Sequence, residues 1–199
     1  MKHIIAITGE MRAGKDTFVG ILQHILSPLY QVQRISFRDG LVEFCKDMGW
    51  DENDRTLLQN LFKSLEKNFG DVLLMRVMDE IKGSQAQFVI VETVRMQNQY
   101  ITLLLLAKQS DWKFTLVGLT APEHLRFERA KASKQKTGEV HYTLEDFRKA
   151  HQAVTEIHIP SILNQANFKI VNDSDLASLE HQAREFCNEF NIPLPKTQG

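Results

Sequence analysis

Few cysteines, few prolines and no surplus of either charge limit what this 199-residue chain can be. Its two cysteines, Cys45 and Cys187, lie far apart and form no C-x-x-C pair. That argues against a disulfide framework or a cysteine zinc site, and makes a reducing cytoplasm the expected location. Lysine and arginine total 24 and acids total 25, a net charge of -1. A surface devoted to nucleic acid or to an anionic membrane is therefore not expected, although a local basic patch stays open. The apolar run at 4–7 ends at Gly9-Glu10, too short for a signal-peptide core. The run 101–107 falls short of the ~20 residues of a membrane span, so both read as buried elements. Seven histidines show no H-x-H or H-E-x-x-H spacing and read as surface or internally satisfied groups. What remains, 43% hydrophobic and 25% charged residues, is the composition of a folded globular chain. The length suits one domain with at most a small lid.

Hydrophobic patterning divides the chain into alternating strands and helices. Ile4 to Thr8, Phe88 to Val91, Phe114 to Leu119 and Phe168 to Val171 are short apolar runs, as strands buried on both faces read, and Val32 to Phe37 alternates. Lys15 to Leu26 has apolar residues at helical spacing, and Ser27-Pro28 closes it. The stretch 39–81 reads as three helices separated at Gly49 and at Gly70-Asp71. Further helices are expected over 97–108, after a Thr120-to-Glu123 capping box with Pro122 in the first turn, after Thr143, and over 176–190. A tail from 191 to 199 is expected to be loose. Strands separated by helices imply an α/β fold with a parallel sheet and right-handed crossovers. Ligands of such sheets bind beyond the carboxyl ends of the strands, which brings 9–17, 38–39, 92–95 and the segment after Leu119 to one rim.

The most specific pattern is Gly9-Glu10-Met11-Arg12-Ala13-Gly14-Lys15-Asp16-Thr17, a G-x-x-x-x-G-K run between a buried strand and an amphipathic helix. A loop in that setting points backbone N–H groups into a concavity, and the helix dipole adds positive potential. Glycines let the backbone approach phosphates, and Lys15 reaches the outer ones. The plain alternative, a glycine-rich turn with a surface lysine, does not require the strand and helix that flank it. Gly9, Arg12, Ala13, Gly14, Lys15, Asp16 and Thr17 are thus the candidate ATP-binding residues. Asp16 stands where serine or threonine is usual, so Asp16 or Thr17 could supply an oxygen to Mg2+.

A guanine-reading N-K-x-D is absent; Asn172-Asp173-Ser174-Asp175 lacks the lysine and reads as the turn into the last helix. A small kinase needs a phosphate loop, a closing lid and arginines around the transferred group. Arg126, Arg129, Lys131, Lys134 and Lys136 against the single acid Glu128 form a basic cluster; it is either a lid (about 126–142) or a solvated helix face. Asp39 could hold the acceptor or take its proton, and could also be the N-cap of the next helix. Glu92 could hold Mg2+ through water, while Arg95 could meet a phosphate or serve as an ion-pair partner. Arg12 could flank the transferred group. Arg55, Lys63 and Arg76 lie in the helical insert (about 39–82) that could form the acceptor pocket.

In this order, the G-x-x-x-x-G-K-D loop, Arg38-Asp39, the helical insert, Val91-Glu92-Thr93-Val94-Arg95, Leu125-Arg126-Phe127-Glu128-Arg129 and Phe168-to-Asp173 resemble the nucleoside monophosphate kinase and dephospho-CoA kinase superfamily. The pattern is similar to archaeal dephospho-CoA-kinase-like proteins and to phage deoxynucleoside monophosphate kinases, which also carry a GKD loop. Glu92 departs from the usual aspartate. The resemblance implies one P-loop NTPase domain over 1–190, a three-layer sandwich with a five-stranded parallel sheet in the order 2-3-1-4-5, and an ATP- and Mg2+-dependent kinase acting on a nucleotide-like acceptor. It implies Lys15, Asp39, Arg126 and Arg129 as the catalytic set, Arg12, Asp39 and Arg95 on the acceptor, and Asp16, Thr17 and Glu92 toward the metal. Two other readings stand beside it: a nucleotide-binding regulator with weak ATPase activity, and a kinase for nucleic-acid ends or modified bases. A membrane or nucleic-acid partner is not expected; a homodimer is compatible with the sequence.

Overall fold

The computed structural model describes residues 2–133, 143–151 and 156–195. Five strands, β1 (His3–Gly9), β2 (Val32–Ser36), β3 (Phe88–Glu92), β4 (Lys113–Thr120) and β5 (Phe168–Val171), form one sheet in the order β2-β3-β1-β4-β5. Every neighbouring pair is parallel. The expected three-layer α/β architecture and strand order are therefore observed. β1 is buried at every residue, as the centre of a sheet covered on both faces must be. Its side chains alternate: Ile5 and Ile7 pack under α1 (Lys15–Leu26) and α9 (Leu176–Glu189), whereas Ile4 and Ala6 pack under α4 (Val72–Gly83) and α5 (Gln97–Gln109). Each such fully buried isoleucine contributes roughly 1.5–3 kcal/mol through removal from water.

Between β2 and β3 stand α2 (Asp39–Asp47), α3 (Arg55–Phe69) and α4, the three helices expected of the insert. Leu41, Cys45, Leu58 and Phe62 give α2 and α3 a small core of their own. Gly49 and Gly70 break the stretch with φ of 70° and 69°, and Asp54 caps α3 by accepting from the N–H groups of Thr56 and Leu57. After β4 come α6 (Glu123–Ala132), α7 (Leu144–Ala150) and α8 (Ile159–Asn164). Thr143 caps α7 reciprocally with Asp146. Both cysteines are free and buried. Among the described residues no helix is long and apolar enough to cross a membrane.

Several expectations fail in detail. Thr120 does not open a capping box: it ends β4, where its Oγ1 donates to the Ile170 carbonyl at 3.3 Å, and α6 starts after Pro122. Asp39 is not an N-cap; it is the first residue of α2, and its Oδ2 accepts from the Ser36 N–H at 3.0 Å. The run 101–107 is not buried throughout, because a helix lying on a sheet covers it with one face: Leu103, Leu106 and Ala107 are inside while Ile101, Leu104 and Leu105 are exposed. The tail is not loose at its start. Ile192 is buried, Leu194 packs against the α1–α9 layer, and Tyr30 Oη donates to the Pro193 carbonyl at 3.1 Å; residues 196–199 lie outside the described residues. The sequence reading did not single out α8, a six-residue helix whose apolar residues are Ile159, Ile162 and Leu163. It packs on β4 so closely that a Cβ at Gly118 would lie 2.8 Å from Leu163 Cδ2.

One buried base gives the fold a pH dependence. His3 is 4% exposed, its Nε2 lies 2.8 Å from Thr115 Oγ1, and burial, aided by the nearby Lys113 charge, lowers its pKa from 6.5 to about 4. The unfolded chain then binds a proton that the folded chain refuses, so stability falls as pH drops from 6.5 toward 4, by up to about 3 kcal/mol. Urea titrations at pH 7 and pH 4.5 should show this loss, and His3→Gln should reduce it.

Candidate active site

The loop between β1 and α1 is shaped by two close approaches. Gly9 has φ of 151°, and a Cβ there would sit 2.4 Å from the Leu119 carbonyl oxygen. Gly14, the N-cap of α1, has φ of 93°, and a Cβ there would meet Asn172 Nδ2 at 2.2 Å. Arg12 between them has φ of 64°, a left-handed conformation uncommon for a residue with a side chain. The Asn172 Nδ2 group donates to the Ala13 carbonyl at 2.9 Å, so the loop after β5 holds the loop after β1. Lys15 is 9% exposed and folds back over the loop, donating to the carbonyls of Gly9 and Glu10 at 2.8 Å each. Asp16 and Thr17 are exposed in the first turn of α1.

On the β2–β3 side, Glu92 ends β3 with its side chain 10% exposed, and its Oε1 accepts from Arg34 Nε at 2.5 Å. Burial raises the Glu92 pKa; the Arg34 bond opposes that, and the Asp16 and Asp39 carboxylates add to it. Arg34 in turn feels Glu92, Asp16 and Asp39. Three expected site acids thus surround one cation that the sequence reading did not single out, since an arginine in an alternating strand carries no signal. Thr93, next in the chain, has φ of 60°; its Oγ1 donates to the Glu92 carbonyl at 2.7 Å and lies 3.2 Å from Ser36 Oγ. Arg95 forms an ion pair with Glu156, whose side chain is 1% exposed, so the ion-pair reading of Arg95 is the one observed. Arg76 pairs with Glu43 and Glu80, Lys63 is exposed, and the Arg55 side chain lies outside the described residues.

On the β4 side, Arg126 and Arg129 share a face of α6 directed at the phosphate loop, and neither is a solvated surface group. Arg126 is 6% exposed. It donates to the Ala121 carbonyl at 3.0 Å and the Met11 carbonyl at 3.5 Å, pairs with Glu10 Oε1 at 3.1 Å and contacts His151 Nε2. Arg129 donates to the Asn172 carbonyl at 3.1 Å and to the Arg12 carbonyl at 3.5 Å. Met11, Ala130 and Phe147 form a small apolar cluster that packs α6 and α7 onto the loop. Lys131 is exposed and pairs with Glu128 at 2.9 Å, as a solvated helix face would. Lys134, Lys136 and the rest of the expected lid through 142 lie outside the described residues.

The oxygen donors suit a hard divalent cation. Among the described residues no three His, Cys, Asp or Glu side chains form a ready-made metal group. Asp16 and Thr17 alone would therefore leave most of the coordination shell to water and nucleotide phosphates, the usual state of bound Mg2+.

A glycine-shaped loop at the head of a 2-3-1-4-5 parallel sheet is the arrangement of the P-loop NTPase fold. No protein-family profile and no curated protein sequence matches the chain. Solved structures do. Shikimate kinase from Bacteroides thetaiotaomicron superposes with a TM-score of 0.58 at 16% identity, covering 94% of this chain and 98% of that one. Shikimate kinase from Acinetobacter baumannii, in complex with shikimate, gives 0.54 at 16% identity over 96% and 93%. The tunicamycin resistance protein of Deinococcus radiodurans gives 0.53 at 13% identity over 98% of each chain. At these identities the likeness is one of fold.

Proposed function

We propose that this chain is an ATP- and Mg2+-dependent small-molecule kinase whose acceptor is nucleotide-like. The observation that carries the reading is the phosphate loop itself: the glycine-shaped backbone and Lys15 at the start of α1, with arginines and carboxylates of β2, β3 and α6 on the same rim. The nucleotide-like acceptor rests on the sequence resemblance to nucleoside monophosphate and dephospho-CoA kinases.

In the reaction, an acceptor oxygen forms a bond to the γ-phosphorus as the bond to the β,γ-bridging oxygen breaks, and ADP leaves. Phosphoryl transfer asks mainly for positioning and charge stabilisation. Lys15 leaves the Gly9 and Glu10 carbonyls for the phosphates, the loop N–H groups hold them, and Arg126 and Arg129 face the donor from α6. Arg12 flanks the transferred group. Asp39 receives the proton of an acceptor hydroxyl, and Arg95 lies toward the acceptor behind its Glu156 pairing. Asp16 and Thr17 would hold Mg2+, with Glu92 behind them, and the bound ion would supply positive charge against the phosphates.

The test is a thermal-shift screen with Mg·AMP-PNP, alone and with nucleoside and deoxynucleoside monophosphates, dephospho-CoA, shikimate and tunicamycin. A ligand at a hundred times its Kd stabilises by about 2.7 kcal/mol, a Tm rise of roughly 5–10 °C for a domain of this size. A nucleotide-dependent shift with a monophosphate, followed by turnover of ATP with that acceptor, is expected. No response to Mg·AMP-PNP would sink the reading. Turnover with shikimate alone would move the acceptor to another chemical class.

A further inference from the structure

Among the described arginines on the rim, Arg126 is the most deeply buried, and its partners are of two kinds. Three are fixed. Nε donates to the Ala121 carbonyl, Nη1 donates to the Met11 carbonyl, and Nη1 also meets the imidazole of His151. His151 Nδ1 lies 2.8 Å from the Phe147 carbonyl, so Nδ1 carries the proton and Nε2 is the acceptor for Arg126. The Phe147 ring, fully buried, lies 5.8 Å from the guanidinium carbon. These contacts hold the guanidinium still. The fourth partner is different in kind: Glu10 Oε1, 3.1 Å from Nη2, belongs to a side chain that is 30% exposed against 8% for Arg126.

We propose that the Glu10 carboxylate occupies the position on Arg126 Nη2 that a nucleotide phosphate oxygen takes, so that Glu10 and the nucleotide compete for one N–H group. The inference rests on the kinase reading and extends it to the donor side. Its physical basis is compensation. A buried guanidinium needs an anion at all times, because an unpaired buried charge costs several kcal/mol. An exchange of carboxylate for phosphate keeps Arg126 paired throughout. Only the Glu10 side chain has to rotate, since its backbone is tied into the loop by the Glu10 N–H to Leu119 carbonyl bond of 3.3 Å and by the Ala13 N–H, which donates to the Glu10 carbonyl at 3.2 Å. Arg126 is accordingly set in place before nucleotide arrives, by Ala121, Met11 and His151, and it does not swing in with a lid. Glu10 is a positioning residue with an affinity cost attached.

The experiment is calorimetric binding of Mg·AMP-PNP to the wild type, Glu10→Gln, Arg126→Gln and the double variant, with Tm measured for each. Glu10→Gln keeps the shape and an acceptor oxygen but removes the charge. It should bind the nucleotide at least about threefold more tightly, toward the lower end of couplings seen between contacting residues. That gain should vanish in the Arg126→Gln background. Equal or weaker binding by Glu10→Gln overturns the proposal. So does an equal gain in both backgrounds, which is the signature of long-range repulsion between Glu10 and the triphosphate. If Glu10→Gln does not fold, Glu10→Asp carries the test: its shorter carboxylate should retreat from Nη2 and give a smaller gain of the same Arg126-dependent kind, and the absence of any gain overturns the proposal. A wild type that binds no Mg·AMP-PNP overturns the kinase reading and this proposal with it. Tight wild-type binding with no Arg126-dependent gain overturns this proposal alone.

Discussion

Lys15→Ala should abolish most phosphoryl transfer, lowering turnover by at least about a hundredfold, the scale for removing one preorganised donor from transition-state charge. Nζ is the one side-chain cation at the first position of α1. It sits over the loop on the Gly9 and Glu10 carbonyls, 2.8 Å from each. In the proposed reaction it leaves these carbonyls for the outer phosphates. Because negative charge moves toward the bridging oxygen as the bond breaks, Lys15 should act more in the transition state than in the ground state. The expected signature is therefore a large fall in kcat with a smaller change in KM for ATP. Stability should fall as well, by about 1–3 kcal/mol, because the buried Gly9 carbonyl loses its donor, whereas the partly buried Glu10 carbonyl can turn to water. Steady-state kinetics with the acceptor found in the screen, alongside Mg·AMP-PNP calorimetry, decide the matter. Turnover within severalfold of wild type would remove Lys15 from the mechanism.

Gly9→Ala should be the most destabilising alanine substitution among the described glycines. The added Cβ would stand 2.4 Å from the Leu119 carbonyl oxygen and 3.1 Å from Leu119 Cβ. The nearest of these is backbone of the adjacent central strand, paired in register with Gly9 itself, so it cannot yield as the end of a side chain would. The backbone φ of 151° adds a conformational penalty. Overpacking costs roughly 1–3 kcal/mol and backbone strain a similar amount, so a loss of about 4 kcal/mol is expected. Gly20→Ala supplies the contrast. Gly20 lies inside α1 with nothing within 4 Å of its added Cβ, and alanine there should stabilise by about 0.5–1 kcal/mol. Urea unfolding of the two variants reads the difference directly. A Gly9→Ala protein as stable as wild type would mean that β1 and β4 are not in the register described.

Glycine, lysine and the apolar runs were legible because their signals are local. A strand buried on both faces has to be apolar at nearly every position, and β1 is. A loop that admits phosphates needs glycines at its turning points, and Gly9 and Gly14 stand there with positive φ. The two breaks in the insert were legible for the same reason. Arg34, Glu10, His151 and Asn172 carried no such signal. Each is an ordinary polar residue in a strand, loop or helix end, and each acquires its place from a partner far away in the chain: Arg34 from Glu92, Glu10 and His151 from Arg126, Asn172 from Ala13 and Arg129. Arg95 was open between phosphate and ion pair because a guanidinium serves either, and only the position of Glu156 revealed the ion pair.

The scarcity of unbalanced charge takes on a different meaning in three dimensions. A net charge of -1 suggested an unremarkable surface hiding one basic patch. In the folded chain the described rim arginines Arg34, Arg95 and Arg126 are each matched to a glutamate: Glu92, Glu156 and Glu10. The sequence by itself determined the layers, the strand order's building blocks and the glycine-shaped loop before α1, because burial and backbone geometry act on neighbours in the chain. The tertiary structure alone decided which cation faces which anion, because Coulomb pairing depends on distance in space and is indifferent to separation along the sequence.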